Sequence, residues 1–434
     1  MKLPRSLTLS CTALALGPII AQAEELTIAT VNNDDMIVLQ ELSAIWEEET
    51  GHTLNWVVLE ENVLRQRVTT DIATDGGQFD IITIGALETP IWGKSGWLTP
   101  LDDLGEDYDY EDIFQSVRNG LSADGSFYAV PFYAESSFTM YRTDLVEEAG
   151  LTMPDQPTWS QIAEFAAQLT DQENQQYGIC LRGKPGWGEN MALITLMANV
   201  WGGTWFDMDW QPQLTSEPWN DAVKFYVETM NSYGPPGATA NGFNENQALF
   251  SSGHCAIWVD ATSAAGRLYG PDSQVADVIG YAKGPGEVTD IGAGWFWAWA
   301  LAIPETSQKV DAAKSFVKWA TSKEYVALVA ETGGVVTSPP GTRRSTYTEA
   351  YMEAAPFAEM TLQAIESADP ANPTRDPVPY SGISFVIIPE YQGIGTMAGQ
   401  AVAGALAGQS SVEDALGAAQ SNAVRVMTQA GYIK

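Results

Sequence analysis

This sequence predicts an α/β protein built as two lobes, and three observations carry that expectation. The chain of 434 residues is longer than one hydrophobic core comfortably serves, so two domains are expected. Near the N-terminus, apolar strands alternate with amphipathic helices in a βαβαβ rhythm, which marks a parallel sheet covered by helices. A second strand–helix run fills the middle third, with no clean linker and no repeat of fixed period.

The elements justify this in order. Residues 1–23 read as a secretory signal: Lys2 and Arg5 precede an apolar stretch at 7–20, and Ala21-Gln22-Ala23 is a small-x-small cleavage site. The mature chain is then expected to begin at Glu24, to be exported and soluble, since no later segment is apolar for long enough to span a bilayer. Residues 25–31 form a strand and 32–35 a turn. A helix over 36–50 is expected to bury Ile37, Leu42, Ile45 and Trp46 and to stop at Gly51. A strand at 52–59, a helix through Arg65 and Val68 to Ile72, and a strand at 79–84 complete the first run. Ligands of such sheets sit beyond the carboxyl ends of the strands, which here are 32–35, Glu60-Glu61 and 85–88.

Residues 128–141 are extended, with alternating aromatics. Thr158 and Gln161 form a capping box that opens a helix, and 177–182 is the next strand. Ser216 caps a helix with Pro218 in its first turn. A helix ending at Gly253 leads into a strand at 255–259. Helices from Val310 and Lys323, a Pro-rich stretch at 369–379 and a helical end from about Ile394 follow.

Charge and composition narrow the function. The net charge is −34, and −36 once Lys2 and Arg5 leave with the signal. Nucleic acid and anionic membrane need basic patches, so both are excluded as expected partners. Two cysteines survive processing, Cys180 and Cys255. Their even number and an oxidising compartment favour a disulfide over two buried thiols, a choice that geometry must settle. Only His52 and His254 are present, without metal-ligand spacing, and no nucleophile elbow or phosphate loop appears. Binding without turnover is therefore expected, with no metal and no cofactor.

One short run points to the ligand. In Trp295-Phe296-Trp297-Ala298-Trp299, read as a strand, three indoles share a face. So much ring surface suits a sugar or polyol, whose C–H groups pack on rings while its hydroxyls seek polar partners. The alternative is that the indoles are core.

Several segments in order resemble the extracellular solute-binding proteins of ABC importers, the maltose-binding-like family 1. They are Ala44-Ile-Trp-Glu-Glu-Glu-Thr-Gly51, Asp80-Ile-Ile with Ser95-Gly-Trp-Leu98, Ala129-Val-Pro131 with Tyr141-Arg-Thr-Asp144, Pro157-Thr-Trp159 and Ala313-Lys-Ser-Phe316. Within that family, the segments from Gly178 to Asn190, from Cys255 to Thr262, the Trp295 run, Pro379-Tyr-Ser-Gly382 and Ile388-Pro-Glu-Tyr-Gln392 resemble the sugar-alcohol group that binds sorbitol and mannitol. The resemblance implies a two-lobed periplasmic-binding fold of type II, with a ligand cleft between lobes joined by crossing hinge strands. One lobe would take residues 24–134 and about 300–345, the other about 135–299 and 346–434. It also implies a monomer that closes on its ligand and delivers it to membrane permease subunits.

A linear polyol demands acceptors, donors and ring faces. Asn33 and Asp34 in the first strand-end turn and Glu61 in the second are candidates, against helix capping or simple exposure. Arg182, after an apolar strand, offers a planar five-donor group. Trp187 sits in the Gly-rich loop Pro185-Gly-Trp-Gly188, and Asp260 follows four apolar residues. Tyr380 and Gln392 complete the polar set. The resemblance places a ligand-contacting carboxylate at Glu135 and puts Trp295 and Trp297 nearest the ligand, leaving Trp299 to hinge or core packing. A cyclic sugar in place of the polyol, an exported hydrolase using two carboxylates, and a structural or adhesive carbohydrate-binding protein remain as alternatives.

Overall fold

The computed structural model describes residues 23–434. The expected signal segment lies outside these, except for Ala23. The strands are β1 (Glu25–Val31), β2 (Thr53–Leu59), β3 (Ile81–Gly85), β4 (Ser122–Ala123), β5 (Ser126–Phe127), β6 (Ala129–Glu135), β7 (Ser137–Arg142), β8 (Tyr177–Cys180), β9 (Cys255–Ala261), β10 (Ile279–Lys283) and β11 (Trp297–Ala302). The first three helices are α1 (Asp34–Thr50), α2 (Glu61–Ala73) and α3 (Glu88–Lys94).

Two sheets organise the chain. The first has the order β2-β1-β3-β11-β6, with β1 parallel to β2 and β3, and β11 antiparallel to both neighbours. The second has the order β10-β7-β9-β8. Ser136 alone separates β6 in the first sheet from β7 in the second. The chain returns between β10 in the second sheet and β11 in the first. It crosses a third time after the first-lobe helices Val310–Ala320 and Lys323–Gly333, because the helices Tyr391–Leu406 and Val412–Gln429 pack on Asn190–Val200 and Glu217–Tyr233 of the second lobe.

Buried apolar strands explain the cores. Every residue of β3, β6, β9 and β11 is buried, as expected of strands covered on both faces. The helix over 36–50 forms, but its buried stripe is Met36, Leu39, Ser43 and Trp46. Ile37 and Ile45 are exposed, so the helix sits rotated from the expected face. Gly51 ends it at φ 77°, donating its N–H to the Glu47 carbonyl, the left-handed C-terminal geometry that glycine tolerates. Both halves of the Thr158–Gln161 capping box are present. Ser216 occupies its N-cap position, yet its hydroxyl is buried without a partner and makes no cap bond.

The aromatic strand begins at Trp297, so Trp295 and Phe296 lie before it. Because β11 pairs with β3 and β6, Trp297 and Trp299 stand in the first sheet, as does Glu135 at the end of β6. The expected boundaries at 135 and 299 therefore fall within strands of the first sheet. Cys180 and Cys255 are joined, Cα–Cα 6.0 Å, across the parallel strands β8 and β9.

Candidate functional site

A small cavity lies between the lobes at the carboxyl ends of the first-sheet strands. Asn33, Glu61, Arg65, Tyr133, Glu135, Trp297 and Trp299 line it from the first lobe and crossing; Arg182, Trp187, Phe243, Trp295 and Phe385 line the other side. Seven of the sequence candidates meet here: Asn33, Glu61, Glu135, Arg182, Trp187, Trp295 and Trp297.

Each owes its position to local structure. Asn33 is the N-cap residue of α1, but its side chain makes no cap bond and its amide donates to the Tyr133 hydroxyl at 2.8 Å. Glu60 takes the capping role for α2, accepting from the Val63 N–H, which frees Glu61 to turn inward. Glu61 then accepts from Arg65, one helical turn on, at 2.8 Å. Arg65 also reaches Glu88 at 3.2 Å. Gly85 permits the Trp297 ring to lie against the end of β3, where any Cβ would strike the indole.

Arg65 is caged by rings. Its guanidinium carbon lies 4.0 Å from the Trp187 ring centre, 4.9 Å from Trp297 and 4.8 Å from Trp299, a desolvated cation–π arrangement. Trp299 thus belongs to the cavity wall and not to hinge packing as expected. A Cβ at Gly188 would collide with Glu61 and Arg65, so glycine lets this second-lobe loop lie directly on the first.

Arg182 is held differently. Asp260 takes its Nε at 3.0 Å and its Nη2 at 2.6 Å, and Nη1 donates to the Gly188 carbonyl at 2.9 Å. Burial opposes its charge, but Asp260, joined by Glu189 and Glu61, holds the guanidinium above its ordinary pKa. Asp260 also accepts from the Trp258 indole and the Ala261 N–H. Its oxygens are spent inside the protein, so Asp260 stands behind the wall as the residue that fixes Arg182. Trp295 and Phe243 flank Arg182 at 5.5 and 5.3 Å.

Three further candidates lie elsewhere. Asp34 faces Arg267 at 3.5 Å outside the cavity, because the first turn of α1 points it toward the opposite lip. The Tyr380 hydroxyl accepts from the Trp205 N–H at 3.0 Å, so it is consumed in the second-lobe core. Gln392 bridges the lobes, donating to Glu88 at 3.1 Å and accepting from Thr69. Sequence reasoning missed Arg65, Tyr133, Phe243 and Phe385 as wall residues. The Glu61–Arg65 spacing was the one available signal for the first of them.

The electrostatics suit a neutral, hydroxyl-rich ligand. Burial pushes the Glu135 carboxyl up to about 8, against the lowering effects of the Ser263 hydroxyl and Arg182. Burial, reinforced by Glu61, raises Glu189 as well. The charged groups that remain are paired, Arg65 with Glu61 and Glu88, and Arg182 with Asp260. The indole N–H groups of Trp295 and Trp297 are buried and have no protein acceptor. Buried donors without partners are costly, and here two of them lie in the walls of one cavity. The lips above meet through Lys184–Glu60 at 2.7 Å, Asn244 to the Asn32 carbonyl at 3.1 Å and Asn62 to the Pro185 carbonyl at 3.3 Å.

A two-lobed α/β fold with such a cleft is the architecture of a binding protein, and the bacterial extracellular solute-binding protein family matches residues 33–327. The chain belongs to that family. It is 58% identical over 430 residues to the mannitol-binding protein of Pseudomonas aeruginosa, covering 98% of both chains. The structure of an ABC transporter solute-binding protein from Agrobacterium vitis with bound D-mannitol superposes with a TM-score of 0.94 at 54% identity, covering 95% of this chain and 100% of that one. A solute-binding protein from Agrobacterium radiobacter in complex with ribitol gives 0.81 at 25% identity, covering 93% and 98%. Among the described residues no helix is long and apolar enough to cross a membrane.

Proposed function

We propose that this protein is the substrate-binding component of an ABC importer, and that it captures a linear sugar alcohol of the mannitol type in the interlobe cavity. The observation that carries the ligand class is the pair of unpartnered indole donors in a wall of rings and paired charges. An acyclic polyol supplies an acceptor to each indole N–H and lays C–H groups on the rings. A carboxylated ligand would have to displace Glu61 or Asp260 from its arginine. The high identity to a mannitol-binding protein supports the same reading.

On this reading the protein acts in the periplasm after removal of residues 1–23, without turning its ligand over, and hands it to permease subunits encoded on other chains. Ligand touching both lobes stabilises the closed state, because only differential contact shifts a hinge equilibrium.

Titration calorimetry with D-mannitol, D-sorbitol, ribitol and D-glucose tests it. The expected result is saturable binding of at least one alditol, at least tenfold tighter than the cyclic sugar. No heat from any alditol at millimolar concentration would overturn the proposal.

A further inference from the structure

A second and roomier space borders residues of the first cavity. It too lies between the lobes, with Asp34 and Asp35 of α1 on one side and Ser263, Arg267 and Tyr269 on the other. Its carboxylates, arginine and rings are the side-chain types that line the first cavity.

One hydrogen bond joins the linings of the two spaces. Glu135 lines the first cavity and Ser263 lines the second, and the Ser263 hydroxyl donates to the Glu135 carboxyl. Beside them, the Asn33 amide is tied to the Tyr133 hydroxyl, with Asp34 next along the chain already in the outer chamber. We propose that the Glu135–Ser263 pair forms a partition that limits the length of ligand the cleft accepts, with Ser263 as the residue that sets the limit. This rests on the polyol reading.

The physical argument is one of anchoring. Glu135 ends β6 at the crossing and has a flexible side chain, so it needs a partner to hold it across the opening. Ser263 lies just past the end of β9, and the pairing of Ser136 with Thr262 at the crossing holds it beside Glu135 as that partner. A ligand longer than the first cavity must break this bond and leave a buried carboxyl unpaired. Without the Ser263 hydroxyl, Glu135 swings free and the outer chamber becomes an extension of the site.

The test compares D-mannitol with maltitol, which carries a glucosyl unit on a hexitol, by calorimetry on the full chain. The wild-type protein is expected to bind maltitol at least 100-fold more weakly than mannitol. Ser263→Gly should shrink that ratio to tenfold or less, Ser263→Ala should move it the same way, and Ser263→Thr, which keeps the hydroxyl, should preserve it. Wild-type binding of maltitol within tenfold of mannitol would overturn the proposal. So would an unchanged ratio in a Ser263→Gly or Ser263→Ala protein that melts like wild type. If the wild type binds no alditol at all, the polyol reading itself fails and takes this proposal with it.

Discussion

The two arginines of the cleft are held in opposite ways. Arg182 is fixed within one lobe: Asp260 grips it from β9 and the Gly188 carbonyl takes a third N–H. Its geometry does not depend on closure. Arg65 has its carboxylates in the first lobe, Glu61 and Glu88, but one of its three rings, Trp187, comes from the second. Its surroundings are complete only when the lobes meet. The contrast separates two tasks of a binding protein. A preorganised group gives affinity because little is lost in ordering it. A group completed by closure couples affinity to the hinge.

Removing Arg182 should have the largest effect. Arg182→Ala leaves Asp260 as an unpaired buried charge, with a cost of about 3–5 kcal/mol in stability. Melting should fall with or without ligand, and mannitol binding should drop by more than 100-fold in calorimetry. A ligand-free melting curve equal to wild type would show that Arg182 is not built into its lobe as the distances imply.

Reduction of the Cys180–Cys255 bond is next. That bond ties β8 to β9 beneath Arg182 and Asp260, and the loop-entropy estimate for its span gives up to about 4 kcal/mol. Reductant should lower the ligand-free melting temperature markedly in denaturant or heat, while the first lobe keeps its α2 salt bridges. Unchanged melting after verified reduction would contradict this.

Arg65→Ala sharpens the comparison from the other side. It should weaken mannitol binding roughly 10–100-fold, about 1.4–2.8 kcal/mol, yet change ligand-free melting far less than Arg182→Ala does. Equal losses of stability in the two variants would erase the distinction drawn here.

Much of this was legible in the sequence. The βαβαβ rhythm placed Asn33 and Glu61 at strand ends, and the βα turns of a parallel sheet converge at one edge. The Trp295 run displayed its period-two face. Arg65 was hidden because an arginine inside a helix reads as solvated, and what buries it comes from distant segments: Trp187 on a loop, and Trp297 and Trp299 on β11. Tyr380 and Gln392 looked available, but long-range partners had claimed them: the Trp205 N–H for one, Glu88 and Thr69 for the other. Ile37 and Ile45 were assigned inward on helical periodicity but are exposed; Trp46 is buried as expected, and Met36, Leu39 and Ser43 complete the packed stripe. Hydrogen-bond ownership across hundreds of residues is not a local property.

The smallest effect concerns pH. Burial holds the Glu135 carboxyl at about 8 in this structure, and opening, which leaves Glu135 at the strand crossing, should re-expose it only in part and lower it only part of the way toward the ~4.3 of an exposed glutamate. The closed state therefore holds a proton that the open state releases between these values. Binding should take up a proton in that window, and affinity should fall a few-fold as pH rises from about 5 to 8. Calorimetry in buffers of different ionisation enthalpy reads the proton directly, and Glu135→Gln should flatten the profile. A wild-type affinity that rises with pH would contradict the sign.

The central claim is that a polyol closes this cleft and completes the cage around Arg65. Energy transfer between dyes at Val63 and Met397, exposed positions on α2 and on the helix Tyr391–Leu406, measures it most directly. D-mannitol should shift the wild type to high transfer, while Arg65→Ala at equal saturation should close less completely. Transfer that does not respond to mannitol in a protein that binds it, or full closure in Arg65→Ala at the same saturation, would contradict the account.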